Sequence, residues 1–202
     1  MQQVNRDKEM LIRIQINDEL LQTAKFLAKQ RLVFEYPRTG YGDYNKKHLQ
    51  NLIYGYLGEL AFLNFITNHF KKKYQKATPN IRFEKLKAEL FEYNLLIGKT
   101  DAGFDFKKNS LEIDVKTYGT NLINDENKIF NFNLLIDQRQ ATNHQAAIYI
   151  QAFIIGKQKP EYCVLSGFTN SLPKLNTSFP KPAHALKVPE LFTMNELLLN
   201  YF

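Results

Sequence analysis

Isoleucines at 12, 14 and 16 alternate with Arg13 and Gln15, the period of two that predicts a short strand within residues 10–16. Leu20, Leu21, Ala24, Leu27, Ala28 and Leu32 then recur at helical spacing, with Asn17 or Asp18 available as the cap. Pro37, Gly40 and Gly42 make 35–45 read as a loop. A long apolar helix follows from about Lys46 to Phe70, and the polar run KKKYQKATPN (71–80) is expected to end it. Residues 81–97 are ambiguous, closing on a strand-like LLIG. Segments 103–107 and 111–117 predict a hairpin, and 130–136 alternates like another strand. AAIYIQAFII (146–155) is apolar nearly throughout, as in a strand buried on both faces, and EYCVLSGF (161–168) should pair beside it. Thr193 followed by Glu196 at capping-box spacing predicts a C-terminal helix through Leu199.

With no repeat and no low-complexity linker, the pattern predicts one α/β domain spanning 1–202. Its expected core is a central mixed sheet of about five strands flanked by helices. The composition, 44% hydrophobic and 13% aromatic, is enough for a real core. The single cysteine, Cys163, cannot form an internal disulfide, and MQQVNRDKEM has no apolar leader segment, so a cytoplasmic location is expected. A formal charge of +7 favours polyanionic partners, nucleic acid first.

Two places carry chemistry. In LIYGYLGELAFLNFI (52–66) the one charged side chain is Glu59, with Gly55, Tyr56, Phe62 and Leu63 on its own helix face. An ionised carboxylate in such surroundings costs several kcal/mol unless a cation or strong donors compensate it. A structural Lys or Arg partner and a site residue are both open readings. A membrane span is disfavoured by the shortness of the run and its central charge. Gly55 and Gly58 would let another backbone approach closely.

The second place is TDAGFDFKKNSLEIDVKTYG (100–119). On a strand, Ile113 and Val115 point one way while Glu112, Asp114 and Lys116 point the other. A turn at Lys108–Asn109 would pair Phe106 with Leu111 and Asp105 with Glu112, adding Asp105 to the charged face. Crowded acids repel and call for a counter-ion. Oxygen-only donors favour Mg²⁺ or Mn²⁺ over Zn²⁺. An exposed salt-bridged strand face is the competing reading.

These residues resemble the PD-(D/E)XK nuclease superfamily, the restriction-endonuclease-like fold. The matching elements are Gly103-Phe-Asp105, eight intervening residues, Asp114-Val-Lys116 and the upstream Gly58-Glu59, within a core of about 46–168. Phe104 stands where many members have Pro, Glu112 is an additional acid, and Asp101 is a rival first aspartate. The resemblance implies catalysis by Glu59, Asp105, Asp114 and Lys116. Asp105, Asp114 and the Val115 carbonyl would ligate Mg²⁺ (Mn²⁺ substituting), Glu59 would hold a bound water or second ion, and Lys116 would orient the attacking water.

The implied substrate is double-stranded DNA, cut to a 5′-phosphate and 3′-hydroxyl, most simply by a homodimeric type II restriction endonuclease. Alternatives are a repair, phage or junction-resolving nuclease on the same core, or an inactive DNA-binding module. Lys71, Lys72, Lys73, Gln138, Arg139 and Gln140 are candidate DNA contacts. His48, His69, His144 and His184 lack metal-ligand spacing, Cys163 reads as core, and no glycine-rich loop suggests a nucleotide cofactor.

Overall fold

The computed structural model describes residues 11–39, 46–77, 92–93, 105–108, 110–143 and 145–202. Strand β1 (Ile12–Gln15) leads into helix α1 (Asp18–Thr39). Of the two candidate caps Asn17 is the one used: its Oδ1 accepts the Leu20 N–H at 2.8 Å. Helix α1 runs on to Thr39, past Pro37 and into the expected loop. The remainder of that loop, 40–45, lies outside the described residues.

Helix α2 (Lys46–Ala77) extends seven residues beyond the expected stop at Phe70. Lysine, glutamine and alanine are good helix formers, so a polar run of this composition continues a helix rather than ending it. Of residues 81–97, Glu92–Tyr93 forms the short strand β2; the strand expected near 95–98 lies outside the described residues.

The hairpin is β3 (Phe106–Lys108) and β4 (Leu111–Ile123), but its register differs from expectation. The pairs are Phe106↔Ile113, Lys107↔Glu112 and Lys108↔Leu111. The expected register would have set Asp105 against Glu112, two like charges. The observed one gives Glu112 an ion pair with Lys107 at 3.4 Å and buries Phe106 beside Ile113. Because the register moves by an even step, Asp105 still falls on the predicted face, now level with Asp114.

A 3₁₀ turn (Glu126–Asn131) replaces the first half of the strand expected over 130–136, and β5 begins only at Asn133 (Asn133–Asp137). Asp125 is the reason: its side chain accepts the Asn127 N–H and caps the turn, the local bonding with which Asp competes against a ladder. Helix α3 (Gln138–Asn143), β6 (Ile148–Ile155), β7 (Tyr162–Thr169), β8 (Leu175–Asn176), β9 (Ala183–Lys187) and helix α4 (Met194–Tyr201) complete the chain. Every residue of β6 is buried, as its continuous apolar run predicts. The capping box of α4 is present in both directions, Glu196 N–H to Thr193 Oγ1 and Thr193 N–H to Glu196 Oε2.

The protein is mixed α/β. Its main sheet has six strands in the order β1-β7-β6-β4-β3-β2, with β4 and β6 parallel and all other neighbours antiparallel. One face carries Ile113, Val115, Ile150, Ala152, Cys163 and Leu165, and packs with Leu57, Ala61 and Ile66 of α2, Leu27 of α1 and Leu197 of α4. The other face presents Tyr149, Phe153, Ile155 and Val164 to a second, three-stranded sheet, β5-β9-β8, through Leu134, Ile136 and Leu186. This second sheet was not foreseen: β5 belongs to it rather than to the main sheet, and β8 and β9 are short and partly polar. No helix among the described residues is long and apolar enough to cross a membrane.

Among the described residues Gly58, Gly156 and Gly167 are required by the packing, a Cβ on Gly156 lying 2.0 Å from the Lys159 carbonyl oxygen. Gly167 has φ +143°, and a Cβ there would lie 2.5 Å from the Phe192 carbonyl oxygen. A Cβ on Gly58 would lie 1.9 Å from Thr117 Oγ1 and 3.3 Å from the Ala152 Cβ, so the α2 backbone packs directly on these side chains of β4 and β6. Gly55, the other glycine expected to permit close approach, meets nothing within 4 Å.

Candidate active site

Strand β4 passes through the middle of the main sheet, and its alternation divides its side chains. Ile113 and Val115 enter the core under α2, while Asp114 and Lys116 take the opposite face. Asp114 is only 4% exposed. Its Oδ2 lies 2.7 Å from Lys116 Nζ, so the acid is buried with a partner in contact.

Asp105 stands immediately before β3, where the hairpin pairing begins. Its N–H donates to the Ile113 carbonyl at 2.9 Å, and its Oδ2 accepts the Val115 N–H at 2.7 Å. A backbone N–H lies in the plane of its sheet, so this bond draws the Asp105 carboxylate into that plane at the edge of β4. The Val115 carbonyl opens to the same edge as its N–H. From there Asp105 feels both sides of the sheet: Glu59 from the helical layer and Asp114 from the opposite face. Burial above all, then the negative charges of Glu59 and Asp114, hold the Asp105 carboxyl well above the ordinary carboxylate range, against the opposing pull of the Val115 N–H and Lys116.

Glu59 itself is half-buried on α2, one residue after the glycine that brings the helix against Thr117. The four residues singled out from the sequence therefore interact electrostatically in one place, although they come from a helix, a hairpin entry and a central strand. Glu112, the additional acid, is engaged with Lys107 instead. Asp101 lies outside the described residues.

A fifth side chain joins them from an unexpected direction. Parallel strands need a crossover, and the one between β4 and β6 carries β5 and α3 over the Asp114 face. Asp137 accepts the Arg139 N–H at 2.8 Å as the chain turns into α3. Gln140 then reaches back: its Oε1 accepts from Lys116 Nζ at 2.6 Å, and its Nε2 donates to Asp114 Oδ2. Asp114, Lys116 and Gln140 close a triangle of three contacts. Beneath them, Gln151 of β6 is buried next to Lys116 and donates to the Lys116 carbonyl at 3.0 Å.

No protein-family model matches this sequence, and no similar curated protein or solved structure was found. The chemistry of the site therefore rests on the chain's own residues. Asp105 feels two further carboxylates, Glu59 and Asp114, and the Lys116 charge, at a site shielded enough to hold its carboxyl above the usual range. That excess of oxygen charge suits a hard divalent cation. Among the described residues no three Asp, Glu, His or Cys side chains form a ready-made cage. Asp105 gives one oxygen to the Val115 N–H, and Asp114 Oδ2 meets both Lys116 and Gln140.

The other candidates fall elsewhere. Gln138 and Arg139 are exposed on the first turn of α3, beside Gln140. Lys71, Lys72 and Lys73 lie on the last turns of α2, with side chains outside the described set. Cys163 is in the core, where burial pushes its thiol up to about 12, so it is no nucleophile. His184 Nδ1 lies 2.6 Å from the Pro173 carbonyl, His69 stacks edge-on with Phe70, and His144 lies outside the described residues. Gln140 was singled out from the sequence only as a surface DNA contact. Nothing local distinguishes it from Gln138, because its place depends on the crossover.

The sign of the Asp105 shift makes a prediction. A carboxyl raised on folding binds its proton more tightly in the native state. Its contribution is fully present below the unfolded pKa and is lost as pH rises through the raised folded value. Asp105→Asn removes the charge but keeps an oxygen for the Val115 N–H. In chelator, the variant is expected to melt above the wild type at neutral pH and to show less decline between acid and neutral pH. Identical melting curves for the two proteins across that range would show that the Asp105 charge carries no strain.

Proposed function

We propose that this chain is a magnesium-dependent endonuclease acting on double-stranded DNA, built on a restriction-endonuclease-like PD-(D/E)XK core. The observation that carries the reading is the electrostatic convergence of Glu59, Asp105, Asp114 and Lys116 from three separate elements. A mixed sheet whose acid-bearing hairpin lies beside a parallel strand and under the Glu59 helix is compatible with that core. The net charge of +7 suits a polyanionic substrate.

In this reading Asp105, Asp114 and the Val115 carbonyl hold the ion, with Glu59 reaching it directly or through water. When bound, Mg²⁺ lowers the pKa of a water and neutralises charge on the phosphate, effects worth several kcal/mol. Lys116 places its compact charge beside the attacking water and the scissile phosphate. Burial of Asp114 and Gln151 around Lys116 limits competing solvent. The products are a 5′-phosphate and a 3′-hydroxyl, and cutting both strands favours a symmetric pair of chains. A cytoplasmic restriction enzyme fits this chemistry best.

Incubating the protein with supercoiled plasmid and Mg²⁺ or Mn²⁺ tests the proposal. Nicked and linear products that vanish with chelator are expected. Failure to cut with any divalent cation, on plasmid, nicked duplex or four-way junction, would leave only a DNA-binding module and end the nuclease reading.

A further inference from the structure

We infer that Gln151 is a positioning residue that holds the main chain of Lys116, a role that rests on the nuclease reading above. Gln151 is the one amide in β6 and is 3% exposed. It lies level with Lys116 across the parallel pairing of β4 and β6, and level residues of neighbouring strands share a face. Its Nε2 donates to the Lys116 carbonyl at 3.0 Å and to the Ala152 carbonyl at 2.9 Å. An amide nitrogen carries two protons, so both are committed to the main chain, one on each side of the β4–β6 seam. A buried amide is costly unless hydrogen-bonded, and here one of its bonds goes to the residue that carries the candidate catalytic ammonium.

The strand on the other flank helps to aim this side chain. Gln151 pairs with Gly167 of β7 and the pairing resumes at Ala152↔Leu165, so Ser166 is an extra residue, the arrangement of a β-bulge. Bulges re-aim side chains and recur beside active sites. Ser166 Oγ donates to the Gln151 carbonyl at 3.3 Å, fixing the main chain from which the amide reaches β4. Lys116 is thereby held at two levels. Its Nζ meets Asp114 Oδ2 at 2.7 Å and Gln140 Oε1 at 2.6 Å. Those contacts sit at the end of a flexible four-carbon stem, and a phosphate arriving at Nζ would compete with them. The Gln151 bond is made to the carbonyl, away from the ammonium, so it persists while Nζ exchanges partners. Gln151 does not touch substrate in this scheme. It acts through the placement of Lys116.

Cleavage kinetics on the full chain, alongside Mn²⁺ affinity by calorimetry, test the inference. Gln151→Met keeps the length of the side chain without the donated bonds. Gln151→Asn keeps an amide in the strand, which guards against a methionine variant that fails to fold, but is one methylene short of the Lys116 carbonyl. Both are expected to lower kcat by about 10–100-fold, with KM for DNA and Mn²⁺ affinity as in the wild type. Combined with Lys116→Ala, either should add little further loss, because an effect carried by the lysine vanishes with it. Ser166→Ala, similarly buried but bonded on the β7 side, should cut like the wild type. An unchanged kcat in both Gln151 variants, or a loss that multiplies with that of Lys116→Ala, would overturn the positioning role and leave the nuclease reading intact. Equal slowing by Ser166→Ala would show a general loosening of the sheet, and a fall in Mn²⁺ affinity alongside kcat a support of the whole site; either overturns it too. A wild type that cuts no DNA with any divalent cation would remove the nuclease reading, and this inference with it.

Discussion

Lys116→Ala is expected to slow cleavage by about 10²–10³-fold, and Asp114→Ala to abolish it, with both proteins folded and still bound to duplex DNA. The two losses have different causes. In the proposed nuclease Lys116 would supply positive charge where the phosphate gains negative charge, an interaction present mainly in the transition state. Its removal should therefore lower kcat and kcat/KM together. In the proposed nuclease Asp114 would hold the ion itself, and the neighbouring acid Glu112 is engaged with Lys107. Asp114→Ala should cost little stability, whereas Lys116→Ala takes the ion pair from the buried Asp114 and should lower the melting temperature. Removing Asp114 relieves one of the like charges that hold the Asp105 carboxyl up, and Lys116 retains its contact with Gln140. Single-turnover cleavage in Mg²⁺, alongside mobility shifts in Ca²⁺, measures the two effects separately. Undiminished turnover in either variant would refute the assignment of these residues.

What the sequence makes legible here is what short-range physics controls. Glu59 is conspicuous because nothing charged stands near it in sequence, and Asp114 and Lys116 because strict alternation separates them from Ile113 and Val115. The capping box of α4 and the burial of β6 are likewise local facts, written in four and ten residues. The parts that escape are decided by partners distant in the chain. The hairpin register depends on which charge opposes Glu112, and a shift of two residues brings Lys107 there instead of Asp105. Helix α2 passes Phe70 because propensity continues through the lysines, although their polarity resembles a loop. Strands β8 and β9 have too few apolar residues to show a period, and acquire their place by pairing, β9 with β5 and β8 with β9. Gln140 is the extreme case: an ordinary surface glutamine in sequence, it meets Asp114 and Lys116 only after the crossover folds over the sheet.

Gly58→Ala is expected to destabilise the protein and to reduce cleavage, whereas Gly55→Ala, one turn earlier on the same helix, should be neutral or stabilising. Alanine favours a helix interior over glycine by about 1 kcal/mol, and at Gly55 the added methyl enters open space. At Gly58 the same methyl would lie 1.9 Å from Thr117 Oγ1 and 3.1 Å from its Cβ. Thr117 is on β4, the strand that carries Asp114 and Lys116, so the overlap is relieved by turning the Thr117 side chain or by moving the helix away from the strand that holds the site. Overpacking of this kind costs about 1–3 kcal/mol, more than the helix propensity returns. The displaced residue next in line is Glu59, so the loss of activity should exceed what the fall in folded fraction explains. Thr117 Oγ1 is a buried hydroxyl with no hydrogen-bond partner among the described residues, so Thr117→Ala removes the obstructing atom without breaking a bond. The double variant should regain much of both stability and cleavage, a coupling readable as a double-mutant cycle. Additive effects of the two substitutions, or a Gly58→Ala protein that melts and cuts like Gly55→Ala, would mean that the helix-to-strand contact does not position Glu59.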